Sequence, residues 1–311
     1  MVTATCARLN GYASKVGGKC EREHNQMITS DKPMTNLAIA HQRLYHQQIS
    51  RASFGTAEEV VHWLGAVQAQ EYSPTLWSIG LRMRQATATA VENAVSEGRI
   101  LRTHLLRPTW HFVTADDIRW MLALTAPRVH ALNAHIYRQL ALDDELFLRS
   151  QAVFGKALEG GRQLTRAELG DALAQVGIVA SGLRLGYIVQ RAELDAVLCS
   201  GARRGKQFTY ALLHERAPQA KRLTRDESLA ELTKRYFTSH GPATLKDFVW
   251  WSSLTLADAR AGVALAGSHL DSQEVNGQTL WFAPATAASG RDTPYADLLP
   301  TYDEYISYGD R

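Results

Sequence analysis

The feature that most constrains this chain is an order of elements that comes round three times: helical runs followed by two short alternating strands. In the first pass Leu37–Ile49 reads as a short amphipathic helix. Thr56–Gln70 reads as a second, with Val60, Leu64 and Val67 on one stripe, Thr56 as N-cap and Glu58 and Glu59 in its first turn. Thr89–Glu97 is a third, stopped by Gly98. The period then changes, and Ile100–Arg107 and Pro108–Val113 form a hairpin. Asp116 starts further helices to about Leu142. The second pass has helices at Gln151–Glu159, at a Thr165–Glu168 capping box and at Ser181–Leu198, then a basic hairpin over Gly201–Leu213. The third has helices at Thr224–Ser239, from Ala243 and at Thr255–Ala266. It closes with Gln273–Phe282, where Asn276–Gly277 separates two alternating runs.

Three helices and a two-stranded hairpin, repeated, describe tandem winged helix-turn-helix modules. The expected fold class is therefore mainly α with small β-hairpins. Thr56, Thr165 and Thr244 are taken as caps of the second helix of each unit. Such a unit lays a recognition helix in the major groove while a basic wing touches the backbone, and at least one unit is expected to serve only as scaffold. The expected segments are a loose tail at 1–33, modules at 34–145, 146–222 and 223–285, and a C-terminal segment at 286–311.

Composition narrows the function by exclusion. The chain has 311 residues, 45% hydrophobic and 21% charged, as in an ordinary globular protein. No apolar run approaches the ~18 residues of a membrane span, and no signal-peptide pattern opens the chain, so a cytoplasmic protein is expected. Cys6, Cys20 and Cys199 are too scattered for disulfides or zinc, and no HExxH, CxxC, phosphate loop or Gly-x-Ser-x-Gly elbow is present. No metal or cofactor is expected. Net charge is only +3, yet seven Lys/Arg residues against Glu215 alone lie between Gly201 and Arg225, and six arginines against Asp116 and Asp117 between Arg99 and Arg138. Such stretches suggest one polyanion-facing side, although a basic run is more often a solvated face.

The odd stretch is Gln68–Ala69–Gln70, where the first long apolar helix ends before Ser73–Pro74. On an unbroken helix the two glutamines lie roughly 200° apart, because each residue turns about 100°. They converge only if the chain leaves the helix near Ala69. Spacing alone favours a plain pair of polar residues at a helix end.

Four strings alter that reading: Gln68–Ala69–Gln70, Leu106–Val113 with Thr109–Trp110–His111, Ser239–Trp251, and Leu299–Tyr305 with Asp303–Glu304–Tyr305. Together, and in this order, they resemble the AlkZ/YcaQ family of bacterial winged-helix DNA glycosylases, connected with azinomycin resistance and interstrand-crosslink repair. The Gln-x-Gln pattern resembles the AlkZ branch; the YcaQ branch has aspartate where Gln70 stands. The resemblance runs from about Leu37 to Arg311. The family usually continues into a further β-rich segment, so 286–311 is expected to be truncated, and the tail before Met34 has no family counterpart.

The resemblance implies a monofunctional DNA glycosylase hydrolysing the N-glycosidic bond of bulky or cationic N7-alkylated purines in double-stranded DNA, with crosslink unhooking within its scope. It assigns water positioning and oxocarbenium stabilisation to Gln68 and Gln70, and groove or lesion probing to Thr109 and His111, with Trp110 packing the hairpin. His111 equally fits a satisfied sheet histidine. Arg102, Arg107, Arg203, Arg204 and Lys206 are candidate phosphate contacts. Asp303 and Glu304 stay outside the catalytic set, since the acid pair equally fits a structural role. A monomer is expected, as no heptad or dimer helix is visible. The alternative is a winged-helix DNA-binding protein without catalysis.

Overall fold

The computed structural model describes residues 34–284 and 296–308, all of which belong to one compact unit. The tail expected at 1–33 lies outside the described residues. In chain order the elements are α1 (Asn36–His46), α2 (Ala57–Leu64), β1 (Val67–Gln68), α3 (Tyr72–Gly80), α4 (Ala88–Ser96), β2 (Ile100–Leu105), β3 (Thr109–Thr114) and α5 (Ile118–Gln139). There follow α6 (Asp144–Leu158), β4 (Leu164–Thr165), α7 (Arg166–Gln175), α8 (Gly182–Leu194), β5 (Leu198–Ser200), β6 (Thr209–Leu212) and α9 (Leu213–Arg216). The last are α10 (Arg225–Ser239), α11 (Leu245–Ser252), α12 (Leu256–Ala266), β7 (Asp271–Val275) and β8 (Gln278–Phe282). No helix among the described residues is long and apolar enough to cross a membrane.

The fold is mainly helical with small antiparallel sheets, and its unit is a winged helix of the order helix, strand, helix, helix, strand, strand. The short first strand joins each wing as an edge: sheet order is β1-β3-β2 in the first module and β4-β6-β5 in the second. In the third this strand shrinks to Ala243, which exchanges both backbone hydrogen bonds with Trp281 of β8 (3.0 and 2.8 Å). Two-residue strands have no detectable period, so the alternation of hydrophobicity reveals the wings and hides these edges. Thr-led capping boxes open α2, α7, α10, α11 and α12. Thr165 and Thr244 do cap the second helix of their modules, but Thr56 caps the first, because α1 stands outside the first module. Asn276 and Gly277 both adopt positive φ (52° and 77°) in the β7–β8 turn, as a two-residue hairpin requires. The boundary expected at 145 falls in the first turn of α6, and that at 222 falls in the loop before α10.

The helix expected over Thr56–Gln70 is shorter than its apolar stripe. It ends at Leu64 because Gly65 turns to φ 83°, a conformation that a side chain would strain. Pro74 does not simply end a helix either. It sits in the first turn of α3, where its missing N–H has no intrahelical partner to lose.

The first module's sheet is buried on both faces. Val67, Ala69, Ile100 and Phe112 pack on the module's own helices with Val60, Leu64 and Ile79. Ala66, Leu101, Leu105 and Val113 face α5 and the third module, against Tyr236, Phe237, Phe248 and Trp251. The third module is itself packed tightly at Gly241. A Cβ there would strike the Phe237 carbonyl oxygen and come within 2.9 Å of Phe282 Cα and the Trp281 oxygen. All three are backbone atoms that cannot swing aside. Gly241→Ala is therefore expected to cost about 3 kcal/mol, read as a lower urea midpoint with unchanged slope.

Candidate active site

Strand β1 carries the first glutamine. Val67 pairs with Phe112 and Gln68 with His111, and Ala69 extends the edge by donating to the Trp110 carbonyl at 2.7 Å. The chain thus leaves the helix at Gly65, four residues before Ala69. Val67 and Ala69 enter the core while Gln68, paired with His111, lies on the opposite face of the edge strand, and Gln70 follows in a bend just beyond the strand. Gln68 is half-buried and Gln70 exposed.

Gln68 is held at every polar handle but one. Its N–H donates to Glu304 Oε1 (2.8 Å), its carbonyl accepts from Thr75 Oγ1 (3.1 Å), and its side-chain Oε1 accepts from Arg107 Nη2 (3.0 Å). The amide NH2 remains. Arg107 therefore turns back from the hairpin tip onto the glutamine, its guanidinium 4.7 Å from the centre of the Trp250 ring.

The cross-strand pairing sets Thr103, Thr109 and His111 on the same sheet face as Gln68. His111 is fully buried; its Nδ1 lies 3.1 Å from the Thr109 carbonyl, and its Nε2 has no hydrogen-bond partner. It is thus a sheet histidine that is not fully satisfied, and in this conformation it does not reach a groove. Burial, then the charge of Arg107, lowers its pKa to about 3, so the ring is neutral at physiological pH.

Trp110 lies on the opposite face with Arg102 and His104. The Arg102 guanidinium sits 4.2 Å from both the Trp110 and Phe208 rings, and its Nε donates to the Ala69 carbonyl at 3.0 Å. Arg102 was expected at a phosphate; only 6% exposed, it instead straps the Gln-Ala-Gln backbone to the second module. Arg204 is tied to Glu168 (2.7 Å) and the Gln163 carbonyl (2.8 Å) within the second module. Arg203 reaches the first module, 4.3 Å from the centre of the Tyr72 ring, and donates to the Lys206 carbonyl, while Lys206 is exposed. Much of the remaining basic character is consumed locally: Arg99 pairs with Glu58 and Glu97, Lys221 with Asp116, and Arg225 with Asp258.

The acid pair left outside the catalytic set lies on the C-terminal segment, against the first module. Asp303 forms a buried two-pronged ion pair with Arg82 (2.9 and 2.8 Å) and accepts from Ser78 Oγ at 2.6 Å. Glu304 is fully buried; besides Gln68 it accepts from Trp251 Nε1 (2.8 Å), and His240 Nε2 lies 3.5 Å away. Burial by itself would raise its pKa. The nearby His240 imidazole, the Gln68 N–H and the Arg107 charge outweigh that and hold it at about 2. The available signal was the acid pair inside an aromatic-rich string, which by itself leaves a structural role equally open.

These shifts predict an acid limit. His111 rejects a proton that the unfolded chain accepts below pH 6.5, so its contribution is present above 6.5 and lost as pH falls toward 3. Glu304 adds a second loss between its ordinary 4.5 and about 2. Stability, and with it the melting temperature, should be flat above about pH 7 and fall from near pH 6.5, the free energy by up to about 1.4 kcal/mol per pH unit from His111 alone. In His111→Gln the decline between pH 6.5 and 4.5 should become shallower without vanishing, because burial also lowers the pKa of His46, as scanning calorimetry over pH 4–8 would read.

A family model described as DNA glycosylase AlkZ-like matches residues 61–311. The chain is similar to an interstrand DNA cross-link repair glycosylase of Streptomyces sahachiroi, 28% identical over 282 residues that cover 85% of this chain and 74% of that protein. Among solved structures it superimposes on Streptomyces sahachiroi DNA glycosylase AlkZ with a TM-score of 0.68 at 22% identity, over 79% of this chain and 68% of that one. At that identity the superposition speaks for the fold.

Proposed function

We propose that this chain, which belongs to the AlkZ-like DNA glycosylase family, hydrolyses the N-glycosidic bond of bulky or cationic N7-alkylated purines in double-stranded DNA. Unhooking of interstrand crosslinks through the same bond is included, as the name of the Streptomyces relative suggests. The observation that carries the reading is that Gln68 lies on an edge strand with its side-chain oxygen held by Arg107 of the hairpin tip, while Gln70 is exposed two residues further on.

The chemistry follows from the charge of the base. An N7-alkylated guanine is cationic, so it departs with the glycosidic electron pair, becomes neutral and needs no protonation by the enzyme. What remains is to hold a water and to stabilise a sugar that acquires oxocarbenium character. A glutamine side-chain oxygen accepts two hydrogen bonds; that of Gln68 accepts one from Arg107 and keeps one lone pair for water. Gln70, exposed beside it, supplies the second amide. Neutral amides offer partial negative charge without the cost of burying another carboxylate. The water adds to C1′ and loses its proton to solvent. No metal or cofactor enters this scheme. Lys206 and Arg203 are the basic groups of the second module best placed to meet phosphates, and the protein acts as a cytoplasmic monomer.

The test is release of free base from duplex DNA carrying 7-methylguanine, with a duplex carrying a neutral lesion base as comparison. Release from the cationic substrate and little from the neutral one is the expected result. Tight binding of both without release would favour a DNA-binding protein that does not cleave.

A further inference from the structure

We propose, on the reading that Gln68 is catalytic, that Glu304 and Arg107 are the positioning residues that hold it. They grip it from opposite ends. The Glu304 carboxylate takes the main-chain N–H at 2.8 Å, and the Arg107 guanidinium takes the side-chain oxygen at 3.0 Å. An edge strand of two residues, Val67–Gln68, has too few ladder bonds to fix a side chain by itself, and its outer edge is where Glu304 binds. The anion is anchored independently of the strand by Trp251 Nε1 at 2.8 Å and by the Asp303–Arg82 pair one residue earlier. Guanidinium donors facing the amide also dictate which way it points, because the NH2 end would meet them donor to donor. The acid and the base therefore set both the position and the rotation of Gln68 without touching substrate, and their charges largely offset each other near the reacting sugar.

This assigns Arg107 to the site and not to the phosphates. Glu304→Met and Arg107→Met should each lower the single-turnover rate of 7-methylguanine release at saturating DNA by about 10- to 100-fold. DNA affinity should stay within about threefold. Ser78→Ala removes a bond to Asp303, loosening the same segment without reaching Gln68; it should lower the melting temperature and leave the rate within about twofold. In the free protein, amide exchange at Gln68 should speed up at least about tenfold in Glu304→Met. A folded Glu304→Met or Arg107→Met enzyme with the wild-type saturated rate overturns the proposal, as does Arg107→Met losing affinity alone. Loss of rate in Ser78→Ala equal to that in Glu304→Met overturns it too, by reducing the effect to segment stability. Should Glu304→Met not fold, Arg107→Met decides. An inactive wild type sinks the functional reading by itself, and Gln68 exchange then still decides the positioning claim: unchanged exchange overturns it.

Discussion

Gln68→Ala and Gln70→Ala are each expected to lower the single-turnover rate of 7-methylguanine release by about 100-fold or more, the usual cost of losing one well-placed polar group at a developing charge. The two should differ in every other respect. Gln68 lies half-buried with Arg107 on its oxygen, so its truncation strands a guanidinium donor and lowers stability by about 1–2 kcal/mol. Gln70 is exposed, and its truncation should leave stability within about 0.5 kcal/mol of wild type. Measuring rate and thermal midpoint together therefore separates chemistry from folding: Gln70→Ala should be a stable, nearly inactive protein. Release that survives both substitutions would falsify the assignment of the site, whatever the family.

The largest stability effect is expected at Arg82. Its guanidinium is fully buried and grips both oxygens of Asp303, with further bonds to the Gln47 and Ser78 carbonyls (2.9 and 2.8 Å). The charge of Arg82 is also what holds the Asp303 carboxyl below its ordinary range against the opposing effect of burial. Arg82→Met leaves that carboxylate without its counter-charge, at a cost of about 3–5 kcal/mol. At about 2–4 °C per kcal/mol the melting temperature should fall by roughly 6–20 °C. The loss should be local first. Trp77 Nε1 bonds the Leu298 carbonyl and Arg82 bonds Asp303, so residues 296–308 come away from the first module, and limited proteolysis should cut there before elsewhere. Glu304 goes with them, so glycosylase activity should fall too. The double variant Arg82→Met/Asp303→Leu should recover much of the stability, because an apolar pair needs no counter-charge. A single Arg82→Met variant as stable as wild type would show that the ion pair contributes nothing.

Much of the architecture was legible because its signals are local. Thr224–Glu227, Thr165–Glu168 and Thr244–Asp247 each close a cap within three residues, and Asn276–Gly277 turns a hairpin by its own backbone preferences. The helix expected over Thr56–Gln70 failed for a reason just as local. Gly65 accepts the positive φ that ends a helix, but the apolar stripe continues past it, because Val67 belongs to the same core as Leu64 by way of a strand. Periodicity alone cannot separate those two ways of burying a valine. The arginines were harder still. Arg102 and Arg204 look alike in sequence, yet one is stacked between aromatic rings and the other paired with an acid.

By itself, then, the sequence determined the repeated module, its caps and turns, and the family, since each depends on residues within a few positions or on the order of short strings. Tertiary structure decided the site. The Gln68 N–H meets a carboxylate 236 residues away, and His111 is neutral because two modules close over its sheet. Hydrogen bonds and desolvation depend on proximity in space, which a linear pattern does not encode. That is why Gln68–Ala69–Gln70 reads as a poorly capped helix end until the edge strand, the hairpin and the C-terminal segment are folded around it.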